Sequence, residues 1–296
     1  MQSPKLHLCV IDAQNDFCSS GAGNLPHRGA LYVENAEQEA NCVAAMIRRL
    51  GSRISSIHAS LDSHQYNDCS HHVRWRTADG RVPDPFTIVW HNDIVSGKYH
   101  LSTSIAEWNG VEIPAGQWAL DYTAELEKSG RMPLCLWPVH CQIGSWGHNL
   151  YEPVAIAFND WCAETGKLID FQIKGQCAWT ENYSAIRADV VDPGCPETGL
   201  NIKFLQSLQQ ADEIAWVGWA GSHCLRFTAL DAINHFGPGA NAIARKSVFF
   251  EDASAAVPDI PGSTVKFSDL RRQFLDEVVA RGALLTTTLK YNPRHQ

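Results

Sequence analysis

Apolar runs rich in Val, Ile and Leu alternate with amphipathic stretches along the chain, the pattern of strands feeding crossover helices in a mostly parallel sheet. Residues 6–11 predict a buried first strand. Residues 30–50 predict a helix with small and apolar residues recurring on one face, and 54–61 a second strand, which completes one βαβ unit. Short strands are expected at 133–137 and 168–173. A further strand at 213–217 runs closely into a helix over about 222–236, and the last strands fall at 242–250 and 284–289. From about 76 to 131 the rhythm breaks: Pro, Gly, Asp and Trp are scattered without clear helical or strand periodicity, which reads as an insertion near the active face. No internal repeat or Gly/Ser linker divides the chain, so the expectation is a single domain over 1–296 carrying an insertion at about 76–131.

Composition narrows the function classes. A chain of 296 residues, 45% of them hydrophobic, can bury a substantial core. A net charge of −8 offers no basic field for phosphates, so nucleic acid is not an expected partner. No stretch reaches the roughly 18 apolar residues of a membrane span, and the first residues lack a charged region followed by an apolar signal core. A cytoplasmic protein without membrane association is the expectation. The ten cysteines sit inside apparent strands and helices of a large chain, which favours reduced thiols over a disulfide framework.

Candidate chemistry gathers where the strands end. Asp12 follows the first strand, at the place where open α/β sheets collect ligands and catalytic groups, although an acid there can simply cap a turn. Cys224 would stand in the first turn of the helix that follows 213–217. The dipole and unpaired amides there favour a thiolate and can hold a developing oxyanion, whereas a lone cysteine in an apolar helix is often just a small buried side chain. Lys174 falls where the strand at 168–173 should end. Asp62 and His64, two residues apart at the end of the second strand, can leave the same face. With His140 and His71 they could form a carboxylate and imidazole site for Zn, Fe or Mn, His72 being the alternative to its neighbour His71.

Five ordered motifs, DAQNDF (12–17), WPVHC (137–141), IKG (173–175), ENYS (181–184) and GWAGSHC (218–224), resemble those of nicotinamidase/isochorismatase-like cysteine hydrolases across roughly residues 6–290. The resemblance implies a three-layer α/β fold with a central six-stranded, mostly parallel sheet and helices on both faces. It implies Asp12 as the base, Lys174 as the charge stabiliser and Cys224 as the nucleophile. Backbone amides of Ala220 and Cys224 would form an oxyanion hole, commonly beside a cis peptide before Ala220. It further implies a divalent metal ion, Zn foremost with Fe or Mn as alternatives, on Asp62, His64, His71 and His140, holding the pyridine nitrogen of the substrate. Phe17 and Trp137 would sandwich a flat ring, a geometry worth up to about 1 kcal/mol beyond burial. The Asp-x-His pattern, generally absent from isochorismatase-type enzymes, favours a pyridine amide.

The implied activity is hydrolysis of nicotinamide or a related heteroaromatic carboxamide to the acid and ammonia through a Cys224 thioester. A small-molecule amide is therefore the expected partner, and many proteins of this type are homo-oligomers. Three other readings stand beside it: another amide, carbamoyl compound or ester as substrate; a binding or scaffold protein that has lost turnover; and a metal that itself activates water, with Cys224 structural. Trp90, Trp108 and Trp118 either line a larger pocket or anchor the insertion.

Overall fold

The structure is a computed structural model describing residues 4–22, 27–239 and 242–294. Its centre is a six-stranded sheet of β1 (Leu6–Ile11), β2 (Ile54–Asp62), β3 (Asp170–Lys174), β4 (Glu213–Gly218), β5 (Ser247–Phe250) and β6 (Leu284–Thr286). The order is β6-β5-β4-β1-β2-β3, and every pairing is parallel. β1, β4 and β5 are buried along their whole length, which is why they read as continuous apolar runs rather than alternating ones.

The longer helices are α1 (Ala36–Leu50), α2 (Ala115–Ser129), α3 (Glu152–Thr165), α4 (Ile202–Gln209), α5 (Cys224–Phe236) and α6 (Phe267–Ala280), and all but α2 cover the sheet. α1 packs on α3, and α5 on α6. From β1 the chain steps outward through β2 to β3, and from β4 it steps the other way to β6. Right-handed crossovers therefore place the two helix pairs on opposite faces, giving three layers, and leave a topological switch point between β1 and β4. Among the described residues no helix is long and apolar enough to cross a membrane.

The fold class expected from the motifs is the one found, with local corrections. The first long helix starts at Ala36 rather than residue 30, because Asn35 is left-handed (φ 70°) and interrupts helical geometry. The first half of the strand expected at 242–250 is a helical turn, Ile243–Lys246, in keeping with its Ala, Arg and Lys content. The strand near 133–137 forms over Leu134–Leu136 but pairs antiparallel with Thr87–Val89, outside the main sheet.

The insertion has more order than its pattern suggested. It holds a hairpin of Ile105–Trp108 with Val111–Pro114 and the 15-residue helix α2, which ends at the left-handed Gly130. Trp118, Ala119, Tyr122 and Leu126 of α2 build a small separate apolar cluster with Trp75, Leu134 and Leu136. The Trp118 and Tyr122 rings stack at 4.8 Å. Trp118 and Trp108 thus pack in this cluster and also border a separate cavity with Ile113 and Tyr122, and Trp90 is exposed.

The main core is centred on aromatic layers such as Phe249, which stacks on Trp216 at 6.3 Å and meets Phe274 edge-on at 5.3 Å. Phe249→Ala removes a ring with no exposed surface and should cost about 3–5 kcal/mol, read as a lower urea midpoint at unchanged slope. A loss below about 1 kcal/mol would show that this layer is not tightly packed.

Candidate active site and metal centre

Strand register brings the candidate residues together. Asp62 and Lys174 are direct partners at the ends of β2 and β3, Ile11 pairs with Gly218, and Asp12 follows immediately. All of them lie at the carboxyl ends of the strands, beside the switch point. Gly218 (φ 136°) is required here, since a Cβ would sit 2.2 Å from the Ile11 carbonyl oxygen.

The segment from β4 into α5 is tied down on both sides. Trp219 donates its backbone N–H to Ile11 and its indole N–H to Glu39, while Gly218 and Gly221 donate to the carbonyls of Ala253 and Ala255. The Trp219–Ala220 peptide is cis. Cys224 is the first residue of α5. Among the described residues the backbone amides of Ala220 and Cys224 donate to no protein acceptor, that of Cys224 being one of the orphans expected at a helix start.

At the centre lies the Lys174 ammonium, 3.0 Å from Asp12 Oδ2, 2.8 Å from Asp62 Oδ1 and 3.7 Å from Cys224 Sγ. All four side chains are buried. Burial works against the charge on Lys174, but Asp12 and Asp62 outweigh it and hold the amine well above its ordinary range. Burial raises the Asp12 carboxyl, opposed by Lys174. Ser60 donates to Asp12 Oδ1 at 2.5 Å, and the Cys224 sulfur accepts from Lys174.

Burial pushes the Cys224 thiol well above its ordinary value, and the Asp12 and Asp62 carboxylates reinforce this against the pull of Lys174. These influences oppose the stabilisation of a thiolate that the helix start offers.

The other oxygen of Asp62 faces the imidazoles. Its Oδ2 is 3.0 Å from His64 Nε2 and 3.4 Å from His140 Nε2, and these donors lie within 4.8 Å of one another. The His71 ring is 5.1 Å from that of His64 and 5.2 Å from that of His140. His72 bonds instead to the carbonyl of Pro83, away from the cluster.

This donor set fits a divalent cation. His64, His71 and His140 each use Nδ1 on an oxygen, of Asp68, Tyr66 and Pro138 respectively, which leaves each Nε2 as the free donor. His71 Nε2 meets the backbone N–H of His140 at a long 3.5 Å, so it stands at the margin of the three-residue cluster. Burial disfavours charge on His64, yet Asp62 and Asp68 raise it well above its ordinary value, so the site favours positive charge.

Cys224, Asp62, His140, Phe17, Trp137 and Ala220 all line one cavity. Its free volume is only about 20 Å³, room for about one water, so an aromatic ring enters only if wall side chains move. Glu181, Tyr183 and His223 line it as well; they fall within the ENYS and GWAGSHC motifs, which gave them no role of their own. Burial first, with further contributions from nearby acids, pushes Glu181 up to about 8. Ser60 and Asp68 were also missed, although the spacing of Ser60 two residues before Asp62 on one strand signalled a shared face. Gln14 clamps Asp62 through reciprocal 2.8 Å bonds to its backbone.

No protein-family model matches the sequence, and no curated protein is significantly similar to it. Solved structures are similar in fold. Yeast nicotinamidase Pnc1p bound to the inhibitor nicotinaldehyde superposes with a TM-score of 0.59 at 18% identity, over 95% of this chain and 99% of that one. The Acinetobacter baumanii nicotinamidase/pyrazinamidase gives 0.58 at 19%, over 98% and 99%. The pyrazinamidase of Pyrococcus horikoshii in complex with zinc gives 0.50 at 18%, over 96% and 99%. The chain has the isochorismatase-like α/β fold that these proteins share.

Asp68 holds His64 in orientation, so Asp68→Asn should weaken Zn²⁺ binding about 10–100-fold in competition with a chromogenic chelator, and His72→Ala should leave it unchanged. Equal losses in both variants would contradict this assignment.

Proposed function

We propose that this chain is a cysteine amidohydrolase that converts nicotinamide, or a closely related heteroaromatic carboxamide, to its acid and ammonia. The observation that carries the reading is the juxtaposition of Asp12, Lys174 and the Cys224 thiol around one buried ammonium, beside the carboxylate and imidazole cluster. The fold likeness to proteins named nicotinamidases and pyrazinamidases supports it.

An amide is a poor electrophile with a poor leaving group, so its hydrolysis benefits from covalent catalysis. Asp12 takes the thiol proton as Sγ attacks the carbonyl carbon, and Lys174 balances the charge that remains. The amides of Ala220 and Cys224 receive the oxyanion. Asp12 returns the proton to the departing nitrogen, ammonia leaves a thioester, and water activated by the same carboxylate releases the acid and restores the thiol.

A divalent cation on Asp62, His64, His71 and His140, Zn foremost with Fe or Mn as alternatives, would supply a Lewis-acid anchor for the ring nitrogen. Phe17 and Trp137 would flank the ring. The small free volume favours one second reading, a cysteine hydrolase of the same chemistry acting on a smaller amide, carbamoyl compound or ester.

The test is ammonia release from nicotinamide by metal-loaded protein. Cys224→Ala should lose at least about a thousandfold, and Asp12→Asn about 10²–10⁴-fold. Metal-loaded protein inert toward nicotinamide but active on a smaller amide would replace the first reading with the second. Activity retained in Cys224→Ala would move the chemistry to metal-bound water.

The base must be ionised, so kcat/KM should fall as pH drops through the raised pKa of Asp12, with the acid limb above the ordinary carboxylate value of 3.8. An acid limb at or below that value, measured on stable protein, would assign the base elsewhere.

A further inference from the structure

We propose that Cys177 and Cys195 form a modification site, a thiol pair that closes to an intramolecular disulfide on reaction with a low-molecular-weight disulfide. Their sulfurs lie 3.0 Å apart, the one sulfur–sulfur contact among the described residues. Each backbone is held in place. Cys195 donates to the carbonyl of Asp192 at 2.9 Å and accepts from Thr198 at 2.9 Å. The Asp192 carboxylate in turn fixes the turn through the amides of Asn109 and Gly194, each at 2.8 Å. On the other side, Thr180 donates to the Cys177 carbonyl and Cys69 to that of the adjacent Ala178. Closing the bond therefore needs side-chain rotation rather than a backbone rearrangement.

Accessibility orders the two steps. Cys195 is partly exposed and Cys177 is buried. The Cys195 thiolate attacks the external disulfide RSSR, forming Cys195–S–SR and releasing RSH. The Cys177 thiolate then attacks the Cys195 sulfur, forming the internal bond and expelling a second RSH. Two thiols are oxidised, one external disulfide is reduced, and both protons end on the released thiols. Burial first, and Asp192 to a smaller extent, raises both thiols, so closure accelerates with pH.

The crosslink joins residues 18 positions apart, closing a segment that starts just after Lys174 and carries Glu181 and Tyr183 of the candidate cavity. Tyr183 is in turn the acceptor for the Trp137 indole N–H at 3.1 Å. The bond would therefore restrain the wall that must move to admit a ring. The pair and Asp192 also present three atoms within 4.8 Å that could take a thiophilic cation, which the test must separate from a disulfide.

The experiment equilibrates chelator-treated full-length protein with oxidised or reduced glutathione, alkylates free thiols and maps peptides by mass spectrometry without reduction. The expected result is a Cys177–Cys195 linked peptide in oxidised samples. The thermal midpoint should rise by roughly 5–10 °C, as closure of a loop this size implies, with both effects reversed by dithiothreitol and absent in Cys195→Ser. Should that variant fail to fold, Cys177→Ser serves the same purpose. Full alkylation of both thiols in oxidised glutathione, or a lasting mixed disulfide at Cys195, would overturn the proposal. So would stoichiometric Zn²⁺ uptake by the pair in preference to crosslinking. None of these readouts involves turnover, so the result stands apart from the amidase reading.

Discussion

A single buried ammonium holds the site together. Lys174 lies between Asp12 and Asp62, each within about an ordinary ion-pair distance, with the Cys224 sulfur on its remaining side. Three strand ends and one helix start converge on it, because β1, β2 and β3 deliver the charged groups and the turn after β4 delivers the thiol. Taking charges out of water is costly, and removing one partner of such a cluster typically costs about 3–5 kcal/mol. Neighbouring groups offset that cost: Ser60 and Lys174 on Asp12, Gln14 around the Asp62 backbone, and the histidines on the far oxygen of Asp62.

Asp62 thereby joins two functions that look separate in the sequence. One oxygen faces the ammonium and nucleophile, the other faces the imidazoles. A group bound among the imidazoles is therefore placed at a fixed offset from Cys224, which is how a ring nitrogen and a carboxamide carbon on one molecule could be held at once. Gly175 (φ 82°) supports this closeness, since a Cβ there would lie 3.0 Å from the Asp62 carboxylate and 3.1 Å from the His64 ring.

Much of this was legible before any coordinates. The buried parallel strands announced themselves as apolar runs, and the acids, lysine and cysteine stood at their ends, where an α/β sheet gathers chemistry. What stayed hidden depended on contacts between distant segments. The upward pull on the Cys224 thiol comes from burial beside two carboxylates on distant strands, which opposes the helix-terminus effect read from local sequence. The separation of His71 from His72 depends on where Pro83 lies. Glu181 and Tyr183 enter the cavity wall from a loop with no periodicity of its own, and α2 was obscured because its apolar face packs on a satellite cluster rather than on the main core.

The central claim is that Cys224 carries the acyl group. Rapid acid quench of metal-loaded protein mixed with excess nicotinamide, followed by intact and peptide mass spectrometry, tests it directly. The expected result is a transient nicotinoyl adduct confined to the Cys224 peptide, formed no later than the first ammonia and released by hydroxylamine. Steady ammonia production with no adduct on Cys224 at any time, under conditions where release of the acyl group is slower than its formation, would contradict it.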